Sequence, residues 1–430
     1  MKRRMKKTFA ALLCAVWVVL SVFPAAASQM NVLLGDADTD GEITAADARI
    51  ALRLSVGLEA SNANIIKICD IDFNGKADAA DARLILRASV GLENFNGKYV
   101  TLTISDTVDS GNRDTAIFNL PTPAAPLVAV GHDTFTFTVY GNGHGVGMSQ
   151  WGAVYMANAG YNYAEILGYY FPSTYIALDP TYHATVFYNG AEWSVYEIVA
   201  AITSMEIGGI AADDDAIKAQ AVAIYTLFKY YNYSGNSNNI GVAGSFAKCS
   251  DKIKNAVAAV IGQYVTMYGD PYTSPVLTVY SAFHAGGSIG SGYAWGSGST
   301  YPTAVRSPFE YLLAGQVGVY RYSESGSRSF EVVDGYGNHV NSRQGEYFAL
   351  VYVYPRAYIE AKLQAAGIGY DPAHPENWFC ILEHSQSIDA SRGYVRNILA
   401  GDTVLTGVGK LSSTLGLGFR SGCYTVTYNK

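Results

Sequence analysis

The sequence predicts an α+β protein, on three observations. Two similar loop-and-helix stretches, GDADTDGEITAADARIALRLSVGLE from Gly35 and CDIDFNGKADAADARLILRASVGLE from Cys69, make a small all-α unit near the N-terminus. The much longer remainder, about residues 131–430, interleaves alternating strand-like runs with helical runs. No βαβ rhythm orders those runs, so the second unit is expected to be a large mixed α+β domain rather than a parallel α/β sheet.

The chain opens with MKRRMKK, an apolar run from Phe9 to Phe23, and Ala25, Ala26 and Ala27 before Ser28. A basic, then apolar, then small-residue order reads as a secretory signal over residues 1–27, too short in its apolar part to span a bilayer ahead of a soluble domain. Five basic and no acidic residues precede Ser28, so cleavage would take the formal net charge from −7 to −12. Such an acidic protein argues against nucleic acid as partner. An extracellular location permits disulfides. After the signal only Cys69, Cys249, Cys380 and Cys423 remain, without zinc-like spacing, and a Cys380–Cys423 bridge and two buried thiols stand as equal alternatives.

In the first repeat Asp36, Asp38, Asp40, Thr44 and Asp47 fall at positions 1, 3, 5, 9 and 12 of a calcium loop, with Gly41 at the sharp turn and the Glu42 carbonyl as a further ligand. The second repeat places Asp70, Asp72, Asn74, Asp78 and Asp81 in the same way, with the Lys76 carbonyl at position 7. Two twelve-residue matches, each followed by a near-identical helix, read as two Ca2+ sites rather than two solvated turns. Too few residues precede the first loop for an entering helix, so the unit is loop then helix, twice. With Asp at position 12, residues 31–95 resemble the type I dockerin, a module that binds cohesin domains of a scaffolding protein. The resemblance implies a cohesin contact through Ala45, Ala46 and Arg53, mirrored by Ala79, Ala80 and Arg87.

Residues 96–130 are polar and end in LPTPAAPLVAV, whose prolines read as a stiff linker. Beyond it, FTFTVY (135–140), YVTMYG (264–269) and YTVTYN (424–429) alternate as strands. AIKAQAVAIYTLFKYY (216–231) has helical period, with Asp213 to Asp215 as cap and dipole-matched charge. KIKNAVAAVIG (252–262) and RAYIEAKLQAAG (356–367) carry the period more weakly.

Three segments of this unit carry candidate chemistry. GNGHGVGMSQWGA (141–153) sets glycines around His144, followed by Ser149, Gln150 and Trp151, a combination suited to a sugar. The string resembles a signature of the stage II sporulation protein D family, which includes lytic transglycosylases and enhancers of an autolytic amidase. GYNYAEILGYYFPST (160–174) resembles the helix and aromatic turn that come after that signature in the family. SMEIGG (204–209) with DAIKAQAVA (215–223) resembles the segment of the family's catalytic Glu, which here is Glu206. AFHAGGSIGSGYAWG (282–296) resembles its glycine-rich active-site loop, with His284 in the cleft and Ile289 and Gly290 where polar residues are usual. LTGVGKLSSTLGL (405–417) resembles a structural segment.

The resemblance implies that Glu206 is catalytic, that His144, Ser149, Gln150, Lys218 and His284 position a glycan, and that Trp151 and Trp295 stack on sugars. It implies no cofactor in this domain. The family's helix carries Arg seven residues after the KAQ lysine, where this chain has Tyr225 after Lys218, so a cation beside the cleft is expected to be missing. The signature also stands first here instead of last, as in a circular permutation, which sets 424–428 beside 135–140 and His144 in one cleft with Glu206 and His284. The expected function is a secreted, scaffold-docked enzyme cutting peptidoglycan between N-acetylmuramic acid and N-acetylglucosamine to a 1,6-anhydro product. The alternatives are a non-catalytic wall-glycan binder or amidase enhancer, and a plant-polysaccharide hydrolase.

Overall fold

The computed structural model describes residues 29–37, 42–56, 63–95, 98–103, 114–179, 181–210, 212–267, 274–296, 301–341 and 346–430. The signal-like residues 1–27, and Asp38, Asp40 and Gly41 of the first acidic loop, lie outside them. Within them the protein mixes helix and strand, as an α+β chain does.

Helices Ala45–Ser55 and Ala79–Ser89 follow the two acidic loops. They pack through small and branched residues, Ala48, Ala51 and Leu54 against Ala82 and Ile85, with Cys69 and Phe95 completing the core. The loop-then-helix expectation is incomplete, because a further helix, Ala63–Cys69, enters the second loop. Seven residues are too few to show a helical period in the sequence. The unit also extends past residue 95, since strand Gln29–Leu33 pairs antiparallel with Tyr99–Thr103.

The linker expectation for 96–130 needs the same correction. After that strand, the short 3-10 turn Thr115–Asn119 buries Ile117 and sets Phe118 edge-on to Tyr161 and Phe309. Farther on, the Pro123 carbonyl accepts from Arg392 at 3.0 Å. A proline-rich stretch can lie extended along a surface as well as span a gap, and here its described part lies along one.

The sheet half of the large unit has five strands in the spatial order Arg328–Asp334, Gln316–Tyr322, Ala349–Pro355, Thr134–Tyr140, Cys423–Asn429. All neighbours are antiparallel except Gln316–Tyr322 with Ala349–Pro355. The final strand of the chain thus pairs with the first strand of this unit, Tyr424 to Tyr428 opposite Val139 to Phe135. That is the adjacency expected of a permuted order. Aromatic side chains fill this core, Phe135 stacking on Trp378 at 5.4 Å between centroids.

The helical half is built around Asp214–Tyr230, capped by the Asp213 side chain on the Asp215 amide. Its residues from Ala216 to Phe228 are buried apart from Lys218, because helices 150–158, 163–170, 195–206 and 251–258 surround it. An apolar character all round is what such a position requires. Cys380 is an exposed thiol and Cys423 a buried one, with no bridge between them. Among the described residues no helix is long and apolar enough to cross a membrane.

Candidate functional site

The glycine-rich loop 141–147 joins strand Thr134–Tyr140 to helix Gln150–Asn158 and is stitched by its backbone to the 282–296 segment and to Arg420. Asn142 donates to the Phe283 carbonyl at 2.9 Å, Gly143 to Arg420 at 2.9 Å, and Gly145 accepts from Ile289 at 2.7 Å. Gly145 has φ +75°, and a Cβ there would lie 2.2 Å from the Tyr394 ring, so no other residue fits. Ile289 is buried and supplies an amide and an apolar side chain rather than a hydroxyl. The loop therefore holds together with an apolar residue at a position where the sequence resemblance expects a polar one.

His144 is half-buried at the tip of this loop. Its Nδ1 accepts from the Val146 amide at 3.0 Å, and its ring meets Trp295 edge-on at 5.5 Å. Burial lowers its pKa, partly offset by the Tyr280 carbonyl. His144 and Trp295 line a cavity of about 520 Å³ whose other walls come from Ala294 and from 408–422. Trp295 is 46% exposed there.

Gln150 begins the helix that comes next. Its Nε2 donates to Glu206 Oε2 at 2.9 Å, joining the glycine-rich motif to the last residue of helix Val195–Glu206. The sequence does not disclose this helix, since VYEIVAAITSM is too uniformly apolar to separate a helix from a strand by period. Two further residues frame Glu206. Gly241, at φ +134°, brings its backbone so close that a Cβ would stand 2.9 Å from Glu206 Oε1 and 2.7 Å from the Tyr280 hydroxyl. Tyr280 is held well above the usual phenol range by burial and then by the Glu206 charge, and its hydroxyl donates to the Ile240 carbonyl. No motif marks Gly241 or Tyr280, because each matters only through the folded loop that carries it.

No family model matches the chain, and no curated protein does. The geometry therefore carries the assignment of roles.

The remaining expected site residues divide. Ser149 is fully buried, and its hydroxyl caps helix Gln150–Asn158 by accepting from Gly152 at 3.0 Å. His284 is fully buried edge-on to Tyr170 at 6.1 Å, neither ring nitrogen has a hydrogen-bond partner, and burial and then His144 hold its pKa down to about 3. Both stand behind the site and not on its surface, which corrects their assignment as glycan contacts. Trp151 is half-buried against Tyr155 at 5.9 Å. Lys218 reaches Asp215 at 3.8 Å and lies over the Tyr163 ring, pairing within its own helix and with helix Tyr163–Tyr170.

Tyr225 also needs correcting. Its buried hydroxyl donates to Asp179 Oδ2 at 2.9 Å, in a cluster with Lys229, Tyr233 and Thr181. Position 225 thus faces an internal carboxylate, Asp179.

In the second acidic loop Asp70, Asp72 and Asp81 bring carboxylate oxygens within 4.8 Å of one another. Backbone amides already shape it. Asn74 and Gly75 donate to Asp70 at 2.9 and 2.8 Å, and Ile71 and Asp78 to Asp81 at 2.8 and 2.9 Å. Asp81 is fully buried, and burial pushes its carboxyl up against the lowering effect of those amides. Converging anionic oxygens, those of Asp70 and Asp81 on buried residues, could hold a hard divalent cation. In the first loop Asp36 and Asp47 are fully buried, and Thr44 donates twice to Asp47 as Asp78 donates to Asp81. The Asn74 side chain, the Lys76 backbone and the Asp78 side chain complete the second loop, Asp78 also capping helix Ala79–Ser89.

Ala45, Ala79 and Ala80 are exposed at the starts of the two helices, and Arg53 and Arg87 near their ends. The side chain of Ala46 lies outside the described residues. Exposed Leu52 and Leu86, at 50% and 48%, occupy equivalent places in the two repeats. Sequence reasoning missed this pair, since a leucine in an amphipathic repeat is read as core.

Proposed function

We propose that the chain is a secreted peptidoglycan lytic transglycosylase that docks through a calcium-bound dockerin module onto a cohesin-bearing scaffold. The observation that carries the enzymatic part is the Gln150–Glu206 hydrogen bond, which puts the carboxyl group under the control of the glycine-rich loop. In the proposed reaction Glu206 gives its proton to the oxygen linking N-acetylmuramic acid to N-acetylglucosamine, and the C1–oxygen bond breaks. The Glu206 carboxylate then takes the proton of the muramic 6-hydroxyl, whose oxygen closes on C1 as the 1,6-anhydro ring. One carboxyl group serves both steps, where most glycoside hydrolases need two. Gln150 orients Glu206, and the face of Trp295 beside His144 offers a sugar a stacking surface.

The docking part is supported by the donor set. Asp70, Asp72, Asn74, Asp78, Asp81 and the Lys76 carbonyl suit a calcium ion, which would neutralise the converging carboxylates and hold the loop against its helix. The first loop would bind a second ion through Asp36, Thr44, Asp47 and the Glu42 carbonyl, with Asp38 and Asp40. Exposed small residues, an apolar leucine and an arginine in each repeat suit a cohesin surface with a dry centre and a charged rim.

A second reading, a wall-glycan binder without catalysis, is favoured by one observation: the cavity beside His144 and Trp295 is not lined by Glu206. Incubation with denuded wall glycan tests both. Anhydro-muramic ends released by the wild type and lost in Glu206→Gln support the enzyme, whereas glycan binding without any such product supports the binder.

A further inference from the structure

The sequence motifs leave one buried carboxyl group without a role. Glu310 lies in the segment Pro308–Gly315 and is fully buried, and neither of its oxygens reaches hydrogen-bond geometry with a neighbour. Its surroundings are nevertheless polar. The Ser149 and Ser307 hydroxyls and the His284 and Gly286 amides lie close enough to favour its charged form, and Ser307 in turn donates its amide to Gly286 at 2.9 Å and meets the Tyr170 hydroxyl at 3.1 Å. Ser149 comes from the GMSQ motif and His284 and Gly286 from the HAGG motif, which are more than 130 residues apart in the chain, and Ser307 immediately precedes the segment of Glu310 itself.

We propose that Glu310 is a positioning residue that ties Ser149 to the His284–Gly286 turn and, through the helix that Ser149 caps, fixes the orientation of Gln150 toward Glu206. A buried carboxylic acid with its proton can donate to one hydroxyl or carbonyl while accepting from an amide, so it can join two loops that both present polar backbone inward. The charged form cannot donate, and its full burial makes it costly, although Arg306 lies beside Tyr169 and Tyr311 in the same neighbourhood. The titratable groups around it are Tyr155 and Tyr170 from the two flanking helices, Tyr169, Tyr311, Tyr394 and the His284 ring. All are neutral across the relevant range, the phenols raised and the imidazole lowered by burial. Burial pushes the Glu310 carboxyl up to about 8, partly offset by those hydroxyls and amides. Glu310 therefore holds its proton at neutral pH and gives it up in mildly alkaline solution.

The catalytic significance of this arrangement rests on the reading of Glu206, but the positioning itself does not. The full-length protein with 15N-labelled glutamine allows both to be followed, the Gln150 side-chain amide being identified by its loss in Gln150→Glu. In the wild type this resonance should shift as pH is raised from 6 to 9 with a midpoint near 8, and in Glu310→Gln it should stay fixed. A resonance that does not move in the wild type, or that moves equally in Glu310→Gln, overturns the proposal. Stability supplies a second measurement. The folded state keeps a proton that the unfolded chain releases above the ordinary value of 4.5, so wild-type stability should fall between about pH 4.5 and 8, and Glu310→Gln should lack that part of the fall. An identical fall in both proteins also overturns it.

Activity then separates positioning from general structure. Glu310→Ala should lower kcat about tenfold or more with KM little changed, and Glu310→Gln should rescue most of it. Equal loss in both variants speaks against positioning. If the wild type makes no anhydro product while the Gln150 resonance titrates near pH 8 and loses that response in Glu310→Gln, the reading of Glu206 fails and the role of Glu310 stands.

Discussion

Gln150 and Glu206 stand 56 residues apart in the chain, yet the amide of one donates to the carboxylate of the other at 2.9 Å. A buried amide with a fixed donor constrains the carboxyl group without adding charge to it. Replacing Gln150 by Leu should therefore lower release of anhydro product by roughly tenfold to a hundredfold, the range seen when a reacting group is misplaced by about an ångström. Glu206→Gln should cost roughly two to four orders of magnitude, since the amide can neither give nor retake the proton. Product counting by mass spectrometry checks both, and a fully active Glu206→Gln protein removes Glu206 from the mechanism.

Calcium removal should act on the N-terminal unit. Without a cation the Asp70, Asp72 and Asp81 oxygens repel one another, so chelation should reduce helix content and abolish binding to a cognate cohesin. Asp81→Ala should do the same to the second repeat alone. Circular dichroism and binding in excess EDTA provide the check, and cohesin binding that survives chelation unchanged refutes the calcium-dependent docking.

The exposed leucines supply a sharper test of that surface. Leu52→Glu or Leu86→Glu alone should weaken cohesin binding less than the two together, because either repeat can present its own face. Equal loss from one change and from both would show that only one repeat engages.

Tyr225 should matter for stability and not for the reaction. Tyr225→Phe removes one hydrogen bond from buried Asp179, which keeps Lys229, Tyr233 and Thr181, so unfolding should be easier by about 1 kcal/mol. Product formation should be unchanged, and Tyr225→Arg should not increase it. An arginine variant with enhanced activity would return position 225 to the cleft.

Asp179 should also contribute to acid sensitivity. Burial raises its pKa, but hydrogen bonds from Lys229, Tyr233 and Thr181 more than offset this and hold it below the ordinary 3.8. Its contribution is present above that value and is lost as pH falls through the lower folded value. Lys229→Met leaves the carboxylate buried without its cation, which costs about 3 to 5 kcal/mol for a pair of this kind. Denaturation midpoints at pH 7 and below pH 4 check both effects. An unchanged midpoint in Lys229→Met at pH 7 would show that the pair carries no such weight.

Local patterns were legible in the chain because they depend on near neighbours. The two acidic loops and their helices follow from residues spaced two to four apart, and the 214–230 helix from its period and its Asp213 cap. The strands 134–140 and 423–429 follow from simple alternation. Even their pairing was accessible, once the order of the motifs was read as permuted. The helix entering the second loop was too short to read, and the helix ending at Glu206 too uniformly apolar. What only the tertiary structure decided is the direction in which each polar side chain faces. Ser149 and His284 belong to motifs that suggest a surface, yet both are buried. Tyr225 lies on a helix enclosed on every side, so period alone could not say which neighbour its hydroxyl meets. Glu310 has no motif at all, and its surroundings come from segments brought together over long loops. Burial and long-range contact are properties of the packed chain, and a sequence read locally contains the hydrogen-bonding groups but not their partners.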